Sequence, residues 1–467
     1  MWNQLLASRW FYIVSAALMI AAFLVSQVRF GSDPRPIGSL EEIGQLHERD
    51  DLNVLFVLID TLRADRLGAY GYERNTSPTI DALASSGVRF AKQMSQSSWT
   101  KCSMASLWTG SYPIRTGVLR SPDAVADAAR MPAEILREAG FNTYAIWRNA
   151  WVGPDFGFSQ GFDMYHSPKP GRVPRTVHRE NPTVGMAGTD RDTILSAQEF
   201  LRSNGDERFF LYLHLMDVHQ YVYDEESALF GSTYSDIYDN SIRWVDRVLW
   251  NLISSLDRMG LREKTLIILA ADHGEAFGEH GREGHARDVY GEVVTTPFIL
   301  SLPFRLEPGI VVQTPTENVD LWPTVLDLLQ LPPLQDPDGR SRMPEILAAA
   351  GKATNLEATE PRFAHIDQTW GRTKKKPQPM VAVHDGPYRL VFRPESKGRR
   401  RSELYDISDD RYESRRIGRD EPEVRTRLTK LAEAYLESTP PEWGVAPEVE
   451  IDEAQLQQLR ALGYDVQ

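Results

Sequence analysis

Four segments of the chain are continuous apolar runs, rich in β-branched and aromatic residues and as long as single strands. They are NVLFVLID at 53–60, FNTYAIW at 141–147, FFLYLHLMD at 209–217 and TLIILAAD at 265–272. Runs of this kind are typical of strands that are buried on both faces, as in a parallel sheet. Three of the runs end on an aspartate, at Asp60, Asp217 and Asp272.

Apolar residues at helical spacing separate these strands. Ser77 and Pro78 predict the start of one helix, and Gly87 predicts its end. Two further helices are predicted over 192–202, with Ile194, Leu195, Ala197 and Leu201 facing inward, and over 239–259. Strands that alternate with helices predict an α/β sandwich with a mostly parallel central sheet.

The carboxyl-terminal third of the chain has a different pattern. Residues 380–394 predict a hairpin that turns at Asp385 to Pro387, and ELYDI at 403–407 adds a strand to a small antiparallel sheet. Residues 421–437 have the spacing of an amphipathic helix, and a short last helix is predicted over 454–462.

An uncharged apolar stretch, residues 10–28, lies between Arg9 and Arg29, and its length is close to the roughly 20 residues that span a bilayer. No small-residue cleavage site follows it, so it favours a transmembrane anchor over a signal peptide. The predicted organisation is a tail over 1–9, the anchor over 10–28, a linker over 29–51, a catalytic domain over 52–365 and a C-terminal subdomain over 366–467. We expect the catalytic domain to lie outside the cytoplasm, in the periplasm if the protein is bacterial.

Composition narrows the class of protein. The chain has 467 residues, 42% of them hydrophobic and 25% charged, which is typical of a globular protein with a large core. Its net charge of −13 argues against a nucleic-acid partner. The basic runs Lys374 to Lys376 and Arg399 to Arg401 are short and predict solvated turns. Cys102 is the single cysteine, so no disulfide can form within the chain.

The strand ends indicate where chemistry takes place. In open α/β sheets ligands bind at the carboxyl ends of the strands, and buried carboxylates without partners are costly. Each aspartate taken alone could cap a helix, but the three together predict a functional edge. His273 follows Asp272 and adds a nitrogen to its oxygen ligands, a mixture that suits a divalent metal ion.

Other polar residues lie near these strand ends in the sequence. His219 follows the third run and is suited to protonating a leaving group. His285 lies in the glycine-rich loop after His273, where the loop can fold over a metal. Arg63 follows Asp60 and pairs either with Asp65 or with an anionic substrate.

In the stretch SSWTKCSMASLWTG at 97–110, five hydroxyl or thiol side chains at the start of an apolar segment are candidate nucleophiles. They are Thr100, Cys102, Ser103, Ser106 and Thr109. Such residues either cap a helix or include a nucleophile. The stretch by itself leaves both interpretations open.

Five segments together resemble one known family. NVLFVLIDTLRADRLGAYGY, the Thr100 stretch that ends in LWTG, LHLMDVHQY, ADHGEAFGEHG and VDLWPTVLDLL follow one another as in the sulfatase-like branch of the alkaline phosphatase superfamily. The resemblance extends from Asn53 to the end of the chain. It implies a three-layer α/β sandwich, with one divalent metal held by acidic residues and by a nucleophile that also contacts the metal.

Counting along the resemblance selects the nucleophile. In sulfatases a Cys-x-Pro-x-Arg motif supplies a cysteine that becomes formylglycine, ten residues before the glycine of the closing motif. Here that glycine is Gly110, and ten residues before it stands Thr100. Cys102 is two positions away, with Met104 and Ser106 where proline and arginine are required. Threonine at this position is similar to the phosphoethanolamine and phosphoglycerol transferases of the superfamily.

The resemblance then implies a role for each candidate residue. Asp60, Thr100, Asp272 and His273 hold one divalent ion (Zn, Mn, Mg or Ca), Thr100 forms a phosphothreonine, Arg63, Asn149, His219 and Lys101 contact the substrate oxygens, and His285 binds substrate or acts as acid and base. The expected activity is that of a metal-dependent phosphoester hydrolase or phospho-group transferase. The alternatives are a sulfatase, which cleaves sulfuric esters, and an inactive sulfatase-like binding subunit. The expected substrate is a phosphorylated or sulfated lipid, glycan or small molecule.

Two departures from the family pattern bear on these expectations. Thr61 stands where many sulfatases have a second aspartate, which weakens a site made only of oxygen ligands. A single predicted span precedes the linker, whereas the transferases usually have a multi-helix membrane domain. A lipid-donor transferase is therefore less favoured than a hydrolase.

Overall fold

In the computed structural model of the protein the described residues form nineteen strands, and the four apolar runs of the sequence are strands of the central sheet. The strands are β1 (Asn53–Ile59), β2 (Val88–Phe90), β3 (Gln93–Met94), β4 (Asn142–Ile146), β5 (Met164–His166), β6 (Val177–Arg179), β7 (Phe209–Leu215), β8 (Val222–Asp224), β9 (Thr265–Ala270), β10 (Ala276–Phe277), β11 (Glu283–Gly284), β12 (Thr295–Thr296), β13 (Phe298–Ser301), β14 (Ile310–Val312), β15 (Thr316–Glu317), β16 (Arg362–Asp367), β17 (Pro379–Asp385), β18 (Tyr388–Phe392) and β19 (Glu403–Asp406). All four predicted strands are present, as β1, β4, β7 and β9.

The structure describes residues 33–181, 185–352, 356, 360–394 and 402–463. The chain divides into two compact units, residues 1–36 and 37–467, and every element named here belongs to the second. The predicted anchor over 10–28 and the tail before it lie outside the described residues. Within the described part of the chain, no helix has both the length and the apolar character needed to cross a bilayer.

The central sheet has eight strands in the order β14-β2-β13-β9-β1-β7-β4-β5. β1 pairs in parallel with β7 and β9, and β4 pairs in parallel with β7 and β5. β13 runs antiparallel to its neighbours β9 and β2. The sheet is therefore mostly parallel, as its continuous apolar strands predict.

The helices cover both faces of this sheet. They are α1 (Leu40–Gly44), α2 (Pro78–Ser85), α3 (Thr100–Thr109), α4 (Pro113–Thr116), α5 (Pro132–Glu138), α6 (Asp190–Asn204), α7 (Tyr234–Arg258), α8 (Gly291–Val294), α9 (Leu321–Leu328), α10 (Met343–Ala349), α11 (Pro422–Leu436) and α12 (Glu453–Ala461). Alternate residues of β1 join two separate apolar clusters, one with α3, α5 and α9 and the other with α2, α6 and α7. The result is the three-layer α/β arrangement that the sequence predicts.

Tertiary packing corrects two details of the predicted helices. Leu195 of α6 is 60% exposed, not inward-facing, because the buried stripe of this helix runs through Ile194, Ala197 and Leu201. α7 begins five residues before the predicted start, because the Thr233 side chain accepts a hydrogen bond from the Asp236 amide and caps the helix there.

A second, four-stranded antiparallel sheet in the order β16-β17-β18-β19 contains the predicted hairpin. Its apolar side packs against α11 through residues that include Val381, Leu390 and Leu428. β16 extends across the predicted domain boundary after residue 365. The backbone amide of His365 in this strand donates to the Gln96 carbonyl, four residues before α3.

Candidate active site

Asp60 and Asp272 leave the central sheet side by side. Leu58 in β1 pairs with Ala270 in β9, so each aspartate lies two residues beyond the same rung of the ladder. The parallel direction brings both carboxylates to one edge of the sheet, as the sequence predicts. Both side chains are completely buried.

These two carboxylates and His273 form a cluster suited to a metal ion. One ligand-type atom from each of the three residues lies within 4.8 Å of the others. Oδ1 of Asp60 and Oδ2 of Asp272 are buried and accept no hydrogen bond from the described residues. Nε2 of His273 lies 3.8 Å from the first of these oxygens and 3.3 Å from the second. Two buried anionic oxygens that face one nitrogen fit a divalent cation, because burial without a counter-charge is costly.

The ring of His273 is oriented by its backbone neighbour. Nδ1 of His273 lies 3.0 Å from the Gly274 carbonyl, to which it donates. Nε2 therefore carries the lone pair, as a metal ligand requires. The same nitrogen lies 3.2 Å from Oγ1 of Thr100.

Thr100 is brought to the cluster by the first turn of α3. Trp99 precedes this helix in an extended conformation, and α3 starts at Thr100. The hydroxyl of Ser103 donates to the Asp272 carbonyl at 2.6 Å and fixes the helix against the end of β9. Free amides and the helix dipole at this terminus favour an anionic group.

Asn149 joins the carboxylate and the hydroxyl. Nδ2 of Asn149 lies 2.7 Å from Oδ2 of Asp60 and 3.3 Å from Oγ1 of Thr100. Its carbonyl oxygen accepts the Trp151 amide and caps a short turn, so the side-chain orientation is fixed. The structure thus brings Asp60, Thr100, Asn149, Asp272 and His273 together.

His214 belongs to this cluster, although it is not among the site residues that the sequence predicts. Its Nε2 lies 3.1 Å from Oδ2 of Asp60, and its Nδ1 lies 2.7 Å from the Tyr212 hydroxyl. Burial works to raise the pKa of Asp60, but the hydrogen bond from His214 and the nearby histidines hold it well below its usual range. A histidine inside an otherwise apolar strand run is the signal that could have found it.

His219 and His285 lie next to the cluster and line a cavity of about 620 Å³. The ring centroid of His285 is 4.6 Å from that of His273 and 4.9 Å from that of His219. Burial lowers the pKa of His219 to about 4. In the sequence these histidines lie far apart, and the fold places them together.

Glu275 is a second site residue that the sequence pattern does not identify. Its carboxylate lies 3.1 Å from Nδ1 of His285 and accepts the Tyr221 hydroxyl at 3.0 Å. Burial works to lower the pKa of His285, but the charge and the hydrogen bond of Glu275 raise it above its ordinary value. The pair fixes the ring of His285 at the cavity wall. The position of Glu275, two residues after His273, could have indicated its role in the sequence.

Arg63 and Lys101 are held by protein groups rather than by the cluster. The guanidinium of Arg63 binds the carboxylates of Asp65 and Glu279 and the Glu275 carbonyl, which is the ion-pair alternative of the sequence analysis. The ammonium of Lys101 is fully buried and donates to the carbonyls of Ser121 and Asp123 at 2.6 and 2.7 Å. It also lies 3.9 Å from the Phe156 ring centroid.

Asp217, the third aspartate at a strand end, belongs to a separate buried network. It binds the Arg148 guanidinium at 2.9 Å and accepts the indole N–H of Trp244 at 2.7 Å. Asp190 at the start of α6 binds the same guanidinium. The metal cluster therefore draws on two of the three aspartates.

Cys102 is directed away from the cluster. Its Sγ lies 3.9 Å from the His365 carbonyl in β16, and the side chain is buried. Burial raises the pKa of this thiol to about 12, so it carries no thiolate near neutral pH.

Comparison with known proteins identifies the family. The sequence model of the family described as Sulfatase matches residues 52–331, which is more than half of the chain. The chain belongs to the sulfatase family. This confirms the resemblance to the sulfatase-like branch, whereas the threonine nucleophile and the transferase branch stay predictions. Enzymes of this family depend on a metal, and the Asp60, Asp272 and His273 cluster is the candidate metal site in this member of the family.

Three similar proteins illustrate the relation. The ulvan-active sulfatase of Formosa agariphila is 25% identical over 344 residues, which are 64% of this chain and 65% of that protein. The solved phosphonate monoester hydrolase of Agrobacterium radiobacter has a TM-score of 0.63 at 19% identity and covers 83% of this chain and 95% of its own. A solved structure in complex with its substrate D-glucosamine-2-N,6-O-disulfate has a TM-score of 0.63 at 16% identity, covering 83% and 98%.

The relatives bear on the choice between sulfate-ester and phosphate-ester activity. The ulvan-active sulfatase and the other relatives by sequence act, by their names, on sulfate esters. They favour the sulfatase alternative over phosphothreonine transfer, which they do not support. The structural neighbours, at 16–19% identity, show the fold alone.

Proposed function

We propose that this sulfatase-family protein hydrolyses sulfuric esters and that Thr100 is its nucleophile. The family relation supports the class of reaction. The observation that supports the residue is the contact of Oγ1 of Thr100 with His273 and Asn149. The surrounding cluster presents two buried carboxylate oxygens that accept no hydrogen bond from the described residues.

The cluster suits one divalent cation held by Asp60, Asp272, His273 and Thr100. A bound divalent ion lowers the pKa of a hydroxyl and supplies positive charge to a developing anionic transition state. The nitrogen of His273 and the oxygens of the aspartates form a mixed donor set, which is compatible with Zn, Mn, Mg or Ca. Asn149 and the start of α3 add N–H donors for the ester oxygens.

The proposed reaction has two steps, formation of a sulfothreonine and its hydrolysis. The hydroxyl of Thr100 loses its proton to water, Oγ1 attacks the sulfur, and a new O–S bond forms. The S–O bond to the alcohol breaks, and His285, which Glu275 orients, donates the proton that the alcohol takes. Water then attacks the sulfur of the sulfothreonine, and the S–Oγ1 bond to Thr100 breaks. One proton of the water restores the threonine hydroxyl, the other returns to His285, and sulfate is released.

Phosphate ester hydrolysis is the second candidate, and one observation favours it. A threonine hydroxyl cannot be converted to the aldehyde that formylglycine provides, while Cys102 faces His365 instead of the cluster. The same in-line attack on phosphorus would give a phosphothreonine. An inactive binding subunit is not favoured, because the cluster of acidic and histidine ligands is complete.

One experiment tests both candidates. The full chain, loaded with Zn, Mn, Mg or Ca in turn, is incubated with 4-nitrophenyl sulfate, 4-nitrophenyl phosphate and bis(4-nitrophenyl) phosphate. Quenched samples are digested, and mass spectrometry locates any adduct. We expect turnover of the sulfate ester and a transient sulfated peptide that contains Thr100.

The other outcomes separate the alternatives. A phosphorylated Thr100 with turnover of phosphate esters alone would establish the second candidate in place of the first. An adduct or an aldehyde on Cys102 would refute Thr100 as the nucleophile. Metal binding without turnover of any ester would support a binding subunit.

The cellular location stays a proposal from the sequence. We propose that residues 10–28 tether the catalytic unit outside the cytoplasm, because the stretch is uncharged and long enough to span a bilayer. Membrane fractionation with protease protection checks this. A catalytic unit that protease reaches only after the cytoplasmic membrane is broken would contradict it.

A further inference from the structure

The cavity beside His219 and His285 has a basic rim. Arg282, Arg287 and Arg372 all line it and all three are exposed. The chain as a whole is acidic, with a net charge of −13. The rim lies beyond the reacting cluster, so the mechanism proposed above leaves it without a role.

Two of these arginines flank His285 in the same loop. Arg282 stands in the turn of the β10–β11 hairpin, where Ala276 pairs with Gly284. Arg287 follows two residues after His285, and its guanidinium donates to the Glu283 carbonyl at 3.1 Å. The basic groups are therefore within a few residues of the histidine that faces the metal cluster.

The third arginine, Arg372, lies in a second loop that is hydrogen-bonded to the loop of His285. Nε2 of Gln368 donates to the Arg287 carbonyl at 3.0 Å, and the indole N–H of Trp370 donates to the Ala286 carbonyl at 3.0 Å. These two hydrogen bonds hold Arg372 and Arg287 on one rim of the cavity, although 85 positions separate them in the sequence.

The loop that carries Arg372 is ordered in advance. The guanidinium of Arg120 donates to the carbonyls of Arg372 and Lys375 at 2.9 Å each and to that of Thr373 at 3.1 Å. The exposed run Lys374 to Lys376 follows in the same loop and adds positive charge near the rim. A preformed site loses less entropy when a ligand binds.

The charges facing the cavity favour an anion. Among its described lining residues the carboxylates are Glu275 and Glu283, and Glu275 is engaged by His285 and Tyr221. Guanidinium groups bind sulfate, phosphate and carboxylate oxygens with two parallel hydrogen bonds. A cavity of about 620 Å³ is larger than one ester group needs.

We propose that Arg282, Arg287 and Arg372 bind a second anionic group of the substrate, so that the site prefers esters with a further sulfate, phosphate or carboxylate. This proposal rests on the proposed function, because it assigns the substrate class of the same site. It concerns a group that does not react, and these arginines are specificity residues.

The test measures binding and turnover separately. The full chain and the variant Arg282→Gln/Arg372→Gln are titrated by calorimetry with sucrose octasulfate and with inorganic sulfate. Arg419→Gln is the matched control, since Arg419 is an exposed arginine that does not line the cavity. Phosphatidylglycerol vesicles form a second arm, because a lipid surface offers the same anionic chemistry.

We expect the double variant to bind sucrose octasulfate at least about tenfold more weakly and inorganic sulfate within about twofold of the parent chain. The Arg419→Gln control should match the parent, and raising the salt from 0.05 to about 0.3 M should reduce the difference between parent and double variant. Equal loss in the control, or no loss in the double variant, would overturn the proposal. Arginine-dependent binding to vesicles but not to the sugar would overturn it in favour of a membrane surface.

Turnover distinguishes this proposal from the proposed function. Loss of selectivity for a multiply sulfated sugar over 4-nitrophenyl sulfate in the double variant would support the second anion site. Arginine-dependent binding without turnover of any ester would refute the activity and retain the site. Turnover that is unchanged in the double variant for both substrates would refute the site and retain the activity.

Discussion

Oγ1 of Thr100 lies 3.2 Å from Nε2 of His273, and both side chains are completely buried. The opposite nitrogen of the ring donates to the Gly274 carbonyl, so the lone pair of Nε2 faces the hydroxyl. The buried carboxylate oxygens of Asp60 and Asp272 face the same point. The hydroxyl, the nitrogen and the two oxygens form one site, from which the following predictions are drawn.

Replacing the threonine hydroxyl tests the nucleophile. We expect Thr100→Val to lower kcat/KM at least about 1,000-fold, roughly 4 kcal/mol, because the side-chain volume stays but the attacking oxygen is lost. Thr100→Ser keeps the oxygen and should retain measurable turnover. Cys102→Ala in the next half-turn of the helix is the control and should change kcat/KM by less than about threefold. Loss of activity in the cysteine variant alone would transfer the role to Cys102.

Metal content tests the cluster. We expect about one equivalent of divalent ion per chain by elemental mass spectrometry, and none in Asp272→Ala. Adding the ion at about 100 times its dissociation constant to the chelated protein should stabilise it by about 2.7 kcal/mol. Asp217→Asn is the comparison, since Asp217 binds Arg148 instead of the cluster. A metal-free protein with an unchanged melting temperature after ion addition would contradict the prediction.

A variant of Lys101 distinguishes a structural role of this residue from contact with the substrate. Lys101→Met leaves the buried carbonyls of Ser121 and Asp123 without their donor. We expect a loss of about 2–3 kcal/mol in the free energy of unfolding, with KM unchanged in the folded enzyme. Denaturant unfolding and steady-state kinetics measure the two quantities. A tenfold rise in KM at unchanged stability would assign Lys101 to the substrate.

His280 makes stability depend on pH. Its Nδ1 lies 2.8 Å from the Glu292 carboxylate, and its ring stacks on Tyr290. Burial works to lower its pKa, but Glu292 and Glu413 raise the pKa of His280 to about 9. A folded-state pKa above the ordinary value near 6.5 means that this stabilisation is complete below pH 6.5 and is lost as the pH rises through about 9.

The variant Glu292→Gln measures this contribution. We expect the parent chain to exceed the variant by about 1–2 kcal/mol at pH 6, a figure reduced for partial solvent screening, and the difference to shrink at pH 9.5. Thermal unfolding at the two pH values checks it, with the exposed Glu437→Gln as control. A difference that grows with pH would have the wrong sign.

The strand pattern was sufficient for the fold because burial has a direct sequence signature. β1, β7 and β9 are apolar at every position or nearly so, and only a sheet covered on both faces buries such strands. The exposure of Leu195 shows the limit of this argument. The sequence does not define how wide the buried stripe of a helix is. Packing of this helix against β7 and α7 sets that width.

The sequence predicted those site residues that directly follow a strand or lie at a fixed distance from a motif. Asp60, Asp272 and His273 follow strands directly, and counting from Gly110 selects Thr100. His214 and Glu275 were missed, although a histidine in an apolar strand and an acid two residues after His273 are visible in the sequence. The hydrogen bonds that give them their roles, to Asp60 and to His285, follow only from the fold. The resemblance assigns Arg63 and Lys101 to the substrate, but the fold surrounds both with acceptors within the protein.

By itself the sequence determined the layered α/β fold and the edge at which carboxylates meet, since strand burial and parallel direction follow from local patterning. Only the tertiary structure decided that Asp217 binds Arg148 away from the metal cluster and that Glu275 orients His285. It also placed Arg372 beside Arg287 on the rim of the cavity. Each of these contacts joins residues from separate elements, and distance in space depends on packing rather than on position along the chain.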